Sequence, residues 1–203
     1  ELLRLLASGA FSCRNLFWID APDLTGGVGE ARKLGMDAVI ASCHAEQAER
    51  VILASLDADT VAEPDYFDAV RGCFERNPAA SALSIPFSHR PGATPEEERA
   101  IRSYEAYLER YVDRLRRAGS PYAFQTVGSA FAVRAAAYVR AGGMRVRKGG
   151  EDFYFLQAAA KTGQGAGDDH GQDNVLFRAD AGVHSGVPVV AASLQLIAKG
   201  GLL

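Results

Sequence analysis

Residues 51–60 read VILASLDADT, and this stretch decides the fold. Its first six residues form a short apolar run interrupted only by one serine, which is typical of a buried strand in a parallel sheet. Asp57 and Asp59 follow at alternate positions. Open α/β sheets bind ligands beyond the carboxyl ends of their strands. The stretch therefore predicts a buried strand that ends in two carboxylates at a ligand-binding crevice.

Segments on both sides of this strand alternate between strand and helix patterns. Upstream, we expect the end of an amphipathic helix at residues 1–6, a strand at 16–19, and a glycine-rich loop at 26–29 that leads into a helix. Downstream, we expect a helix from Pro64, a strand at 82–87, a helix from Pro95, a strand at 130–133, and helices at 134–141 and 151–161. Alternating strands and helices predict an α/β fold, with a mostly parallel sheet flanked by helices.

Two features refine these expectations. Pro86 cannot donate a ladder hydrogen bond, so its strand should be short or at an edge. Thr94-Pro95-Glu96-Glu97 combines an N-cap, a proline at the first helical position and a capping-box glutamate, so the helix start there is strongly specified. That helix carries an apolar stripe that we interpret as a packing seam: Ile101, Tyr104, Leu108, Tyr111 and Leu115.

Composition bounds the class of protein. The chain has 203 residues, 48% of them hydrophobic, which suits one globular domain over residues 1–203. A net charge of −3 provides no broad cationic field, so we expect no nucleic-acid partner. Cys13, Cys43 and Cys73 contain no CxxC pair, which favours a reducing compartment such as the cytoplasm. No apolar stretch reaches the roughly 18 residues of a membrane span.

Two acidic pairs are candidates for chemistry. Asp57 and Asp59 offer hard oxygen ligands, which suit Mg²⁺ or Mn²⁺ completed by substrate phosphates. The alternative is an aspartate-rich turn that caps the next helix. Glu151 and Asp152 begin a helix after a glycine-containing loop, where a general base could lie. The alternative there is a favourable interaction with the helix dipole.

The order of these parts resembles family 2 glycosyltransferases of the glycosyltransferase-A fold, also called the nucleotide-diphospho-sugar transferase fold. The resemblance spans residues 16–163, and the tail at 164–203 diverges. It rests on the segments GEARKLG at 29–35, LDADT at 56–60, GSAFAVR at 128–134, the glycine pair at 142–143, and GED at 150–152.

The resemblance implies roles for five residues. Asp57 would lie near the donor's ribose or the metal, Asp59 would bind the metal, and Arg32 would lie near the donor nucleotide. Asp152, with Glu151 beside it, would be the base. The implied reaction is an inverting displacement at the anomeric carbon of a nucleotide-diphosphate sugar by an acceptor hydroxyl, assisted by Mn²⁺ or Mg²⁺.

Departures from the family pattern lie at both ends of the chain. The family's initial strand, helix and second strand have no counterpart before Leu16, so we expect an N-terminally truncated form, in which Asp20 partly substitutes. Residues 163–173 read as a glycine- and aspartate-rich loop. His184 offers a further metal ligand, although a lone histidine is more often structural.

Two other functions fit parts of the sequence. DADTV at residues 57–61 also resembles the motif of haloacid-dehalogenase-like phosphatases, in which Asp57 would be the nucleophile and Asp59 the acid/base. Asp168, Asp169 and Asp173 would then supply the late metal ligands. A phosphatase leaves the long capped helix, residues 128–129 and the Glu151–Asp152 pair without a role. The third alternative is a non-catalytic fragment that associates through an unpaired sheet edge.

Overall fold

The computed structural model of the chain describes residues 19–163 except 22, 45–47 and 58, together with the strands at 176–178 and 189–194. The helix expected at residues 1–6, positions 16–18 of the first expected strand, the late aspartates of the phosphatase interpretation and His184 lie outside the described residues. Ile19, the last position of that expected strand, is exposed and lies in no strand.

The described residues form five helices and five strands. In chain order they are α1 (Val28–Ser42), β1 (Ile52–Asp57), α2 (Tyr66–Arg76), β2 (Ala82–Ser84), α3 (Pro95–Arg117), β3 (Phe131–Arg134), α4 (Ala135–Arg140), α5 (Glu151–Ala160), β4 (Leu176–Arg178) and β5 (Val189–Leu194). Mixed α/β architecture, as predicted, is confirmed.

The strands form a sheet in the order β4-β2-β3-β1-β5. Strand β3 runs antiparallel to both of its neighbours, whereas β1 pairs with β5 and β2 with β4 in parallel. The prediction of a mostly parallel sheet is therefore wrong at the centre of the sheet. The physical reason is that residues 85–130 do not cross back over a face of the sheet. They leave the end of β2 and enter β3 at the same end of the sheet, so β3 must run in the opposite direction.

Hydrophobic clusters cover both faces of the sheet. Successive side chains of a strand point to opposite faces, so β1 contributes Leu53 to one cluster and Ile52 and Ala54 to the other. The first cluster joins the sheet to α1, α4 and α5 through Met36, Phe131, Val133, Tyr138, Phe155 and Leu156. The second joins it to α2 through Val70, Cys73, Phe74, Leu83 and Ala132. Each large apolar side chain buried in this way contributes about 1.5–3 kcal/mol.

Element boundaries differ from the expected ones at β2 and α2. Strand β2 is short, as Pro86 predicts, but it lies between β3 and β4 and is no edge strand of this sheet. Helix α2 begins at Tyr66 instead of Pro64, because the Tyr66 N–H donates to the Glu63 carbonyl at 3.0 Å and closes a turn there. Phe67, in the first turn of α2, is exposed, whereas Val70 and Phe74 on the same helix are buried.

Helix α3 begins with the predicted capping box: the Glu97 N–H donates to the Thr94 hydroxyl, and the Glu97 side chain accepts from the Thr94 N–H. No residue of α3 is buried against the rest of the described chain, and Tyr104 and Tyr111 are exposed. The prediction that its apolar stripe is a packing seam is therefore not confirmed within the described residues, where Ile101, Leu108 and Leu115 are only half-buried. A helical period marks one apolar face of a helix but does not provide the surface that would cover it.

Among the described residues, none of the helices combines the length and the hydrophobicity that a membrane crossing requires.

Candidate functional site

The segments that the sequence predicts to carry chemistry lie at one end of the sheet, where strands β1 and β2 finish. Strands β1 and β2 run in the same direction on either side of β3, and Ser55 and Ser84 both pair with Phe131. The carboxyl ends of β1 and β2 and the start of β3 therefore meet at this end of the sheet, which we call the site edge. Adjacent strands lie about 4.8 Å apart, so β1 and β2 are about 10 Å apart here.

A buried cluster of ion pairs occupies the site edge. The guanidinium of Arg32, on α1, pairs with Asp57 Oδ1 at the end of β1 at 2.5 Å and with Glu151 Oε1 at the start of α5. Arg32 and Glu151 are only 5% and 4% exposed, whereas the Asp57 side chain is 39% exposed. The cluster thus joins two helices and a strand, and its open side is the Asp57 carboxylate.

Close backbone packing holds Arg32 in this position. A Cβ added at Gly128 would lie 2.5 Å from Cζ of Arg32 and 2.6 Å from its Nη2, so only glycine fits against the guanidinium. The Ser55 hydroxyl donates to the Gly128 carbonyl at 2.6 Å and fixes that backbone. The Arg32 Nε is buried without a hydrogen-bond partner among the described residues. The guanidinium is therefore confined by packing as well as by charge.

The amino ends of α1 and α5 approach each other beside the cluster. A Cβ at Gly29 would lie 2.9 Å from the Arg147 carbonyl oxygen and 2.9 Å from Glu151 Cγ. The N-cap residues are Gly27 (φ 73°) and Gly150 (φ 68°), and neither helix has a side-chain cap. Both amino ends carry a partial positive charge, which the first-turn acids Glu30, Glu151 and Asp152 partly offset.

Three of the five predicted site residues meet in the structure, namely Arg32, Asp57 and Glu151. Asp59 is exposed in the turn after β1, in which the Thr60 N–H donates to the Asp57 carbonyl at 3.0 Å. Asp152 is half-buried, and its Oδ1 accepts from the Phe153 N–H at 2.7 Å. Within the described residues, no hydrogen bond or ion pair joins Asp59 or Asp152 to the cluster. Of the two acids that begin α5, Asp152 is therefore the more accessible.

The carboxylates at the end of β1 suit a hard divalent cation. Asp57 uses Oδ1 for Arg32 and Asp59 is exposed, so the pair offers oxygens toward solvent. The described part of the chain contains no group of three or more His, Cys, Asp or Glu side chains that could enclose a metal ion. Mg²⁺ and similar ions are commonly held by one or two carboxylates, with waters and substrate phosphates completing the shell. The donor set fits that arrangement.

Tyr66 lies at the start of α2, just beyond the loop that follows β1. Its hydroxyl is buried and has no hydrogen-bond partner within the described residues. Burial raises the pKa of Tyr66 to about 12, since the phenolate would lose its solvation. Tyr66 therefore stays protonated at neutral pH and cannot act as a base there.

Sequence reasoning missed the supports of the cluster. Ser55 was read only as part of an apolar strand and Gly128 only as part of a motif, because neither residue has a local signal for its contact. The sequence predicts that Glu151 lies beside the catalytic base Asp152, whereas the structure shows it bound to Arg32. Such contacts join residues that are far apart in the chain.

Comparison with known proteins found no matching family model, no matching curated protein and no matching solved structure.

Proposed function

We propose that this chain is a divalent-metal-dependent, inverting glycosyltransferase that moves a sugar from a nucleotide-diphosphate donor to an acceptor hydroxyl. The observation that carries the proposal is the Arg32–Asp57–Glu151 cluster. It joins the three segments in which the resemblance to family 2 glycosyltransferases is strongest: the loop and helix around Arg32, the DxD strand end, and the helix start at Glu151 and Asp152. Their meeting at one end of the sheet supports the proposal.

Donor binding would involve the open side of the cluster. Arg32 orients Asp57 through Oδ1, so the other carboxylate oxygen of Asp57 and the exposed Asp59 are left to hold Mn²⁺ or Mg²⁺. Such an ion, when bound, stabilises the negative charge of the leaving diphosphate. The uncapped amino end of α1 adds partial positive charge beside it.

Asp152 is the proposed base. Its carboxylate would take the proton of the acceptor hydroxyl, and the hydroxyl oxygen would form a bond to the anomeric carbon. The bond from that carbon to the diphosphate oxygen breaks with its electron pair, so the configuration inverts. Glu151 is bound to Arg32 and would serve to position α5.

Cys43 and Cys73 are free thiols, which supports a reducing compartment such as the cytoplasm.

Calorimetric titration with UDP and GDP, each with and without Mn²⁺, tests the donor site. We expect manganese-dependent binding of one nucleotide, and loss of that binding in Asp59→Ala because a direct metal ligand is removed. The matched control is Asp65→Ala, an exposed aspartate in the same connecting loop whose side chain makes no capping hydrogen bond. It should bind like the unmodified chain.

Two outcomes would contradict the proposal. Manganese-dependent binding that is equally strong in Asp59→Ala would remove the metal role of the DxD segment. Absence of nucleotide binding, combined with Mg²⁺-dependent hydrolysis of p-nitrophenyl phosphate that is lost in Asp57→Asn, would support the phosphatase alternative instead.

A further inference from the structure

Residues 85–130 form an excursion that borders the site edge. The excursion leaves the end of β2 and returns at the start of β3, where Ser84 pairs with Phe131. Both of its ends therefore lie about 10 Å or less from the end of β1, given the spacing of adjacent strands. Asp57 and Asp59 follow β1 at the same edge. His89 is five residues beyond Ser84, so its Cα lies within about 18 Å of the end of β2.

His89 and Glu105 form a hydrogen-bonded pair on the excursion. The His89 N–H donates to Glu105 Oε1 at 2.7 Å, and the His89 Nδ1 lies 3.0 Å from the same oxygen. Arg102 donates to the His89 carbonyl oxygen at 3.1 Å and also pairs with Glu105 Oε2. The His89 N–H is the largest cause that holds the pKa of Glu105 below its ordinary value. Glu105 is therefore a carboxylate at neutral pH, and it shares Arg102 with Glu98.

The imidazole is not needed to anchor this loop. The backbone N–H and carbonyl of His89 are both bound already, and the Gly92 N–H donates to Glu98 Oε2 at 2.7 Å, which ties the same loop to α3. The His89 side chain remains 41% exposed. Within the described residues, Nδ1 makes the only hydrogen bond of the ring. In the neutral imidazole, donation from Nδ1 to the Glu105 carboxylate selects the tautomer in which Nε2 is the acceptor, on the far side of the ring.

Two aromatic rings contact the imidazole. Phe87 lies edge-on to the imidazole at 5.5 Å between ring centroids, and Tyr104 at 5.8 Å. Tyr104 is also exposed. The surroundings of the imidazole therefore combine a polar ring nitrogen, apolar ring surface, and a net negative cluster in which Arg102 is shared between Glu98 and Glu105. A neutral molecule with hydroxyl groups and C–H faces matches this combination better than an anion does.

We propose that His89, held by Glu105, forms a subsite for a sugar or a related polyol, in which Nε2 accepts a hydrogen bond from a ligand hydroxyl and Tyr104 packs against the C–H face of the ligand. The ligand's identity as the acceptor of sugar transfer rests on the proposed function. The subsite itself rests on the contacts of His89 with Glu105 and with the neighbouring rings, and not on that function.

The first test is the tautomer of His89, read from ¹⁵N–¹H correlation spectra of the imidazole in the full chain. We expect the neutral imidazole of His89 to be the Nδ1–H tautomer, and we expect this preference to be lost in Glu105→Ala. Glu109→Gln, an exposed substitution one turn further along α3, is the control and should leave the tautomer unchanged. An Nε2–H tautomer in the unmodified chain overturns the proposal, because Nε2 would then be a donor.

The second test is a titration with D-glucose, D-mannose, N-acetylglucosamine and glycerol, followed through the histidine signals in the presence of Mn²⁺ and UDP. We expect saturable shifts of the His89 signals and binding weakened at least about tenfold in His89→Ala. His44→Ala is the control, since His44 lies exposed just beyond the far end of α1. The backbone anchors survive in His89→Ala, so its thermal midpoint should be unchanged.

Either of two results overturns the subsite: no binding of any of these probes, or equal binding by His89→Ala. Titration of UDP and Mn²⁺ on the same samples separates the two proposals. Probe binding through His89 without nucleotide binding would contradict the glycosyltransferase assignment and leave the subsite intact. Nucleotide binding without probe binding would contradict the subsite and leave the glycosyltransferase assignment intact.

Discussion

At the scale of single residues, the contact between Gly128 and Arg32 is the tightest constraint at the site edge. The guanidinium is the far end of the flexible Arg32 side chain, but its two ion pairs and its burial leave it little room to move. A side chain at Gly128 would therefore displace the guanidinium from both carboxylates. The glycine is required by this close approach and not by its backbone angles.

We expect Gly128→Ala to lower the free energy of unfolding by about 1–3 kcal/mol, the usual cost of overpacking a filled interior. The matched control is Gly149→Ala, because a Cβ at Gly149 would meet no atom within 4 Å. Urea denaturation of both variants measures the difference. Equal stability of the two variants would contradict the view that Arg32 is fixed.

At the scale of elements, α3 is a helix that depends on its own local interactions. It buries no residue in the described chain, so tertiary packing contributes little to it. The capping box at Thr94 and side-chain pairs such as Arg102–Glu98, at 2.8 Å, must stabilise it instead. The loop that carries His89 is tied to the first turns of this helix, so the order of the loop follows the order of the helix start.

Thr94→Ala should therefore destabilise the start of α3 locally, by about 1 kcal/mol, because the Glu97 N–H loses its acceptor. Amide hydrogen exchange should become faster at Glu97 and Gly92 and stay unchanged in β1. Thr60→Ala, an exposed substitution outside any helix, is the control. Unchanged exchange at Glu97 would show that something other than the cap holds the first turn.

At the scale of the whole molecule, the ion cluster couples three elements that are far apart in sequence. Arg32 is separated by 25 residues from Asp57 and by 119 from Glu151. Removing the guanidinium leaves Glu151 buried without a counter-charge, a change that typically costs about 3–5 kcal/mol. Removing both charges leaves no such penalty.

We therefore expect Arg32→Met to destabilise the chain strongly, and the double variant Arg32→Met/Glu151→Gln to be markedly more stable than the sum of the single changes predicts. A double-mutant cycle in urea gives the coupling energy. Additivity within about 0.5 kcal/mol would mean that the two side chains do not interact.

Prediction from sequence succeeded where the signal is local. The capped start of α3, the apolar strand before Asp57 and the start of α5 at Glu151 all depend on residues within a few positions of each other, and all three are confirmed. Prediction from sequence failed where the outcome depends on a second surface that is distant in the chain. The apolar stripe of α3 has a helical period, but the period does not say whether another surface covers it.

What the sequence by itself determined is the elements from α1 to α5 and the position of the two acidic pairs at the end of β1 and the start of α5, because side-chain periodicity, capping and turn chemistry act over a few residues. Strands β4 and β5, in the segment interpreted as a divergent tail, were not predicted. Only the tertiary structure decided the reversed direction of β3, the exposure of α3 and the pairing of Arg32 with Glu151. Those features depend on where the excursion at residues 85–130 re-enters the sheet and on contacts between distant residues, which leave no pattern in any short stretch of the chain.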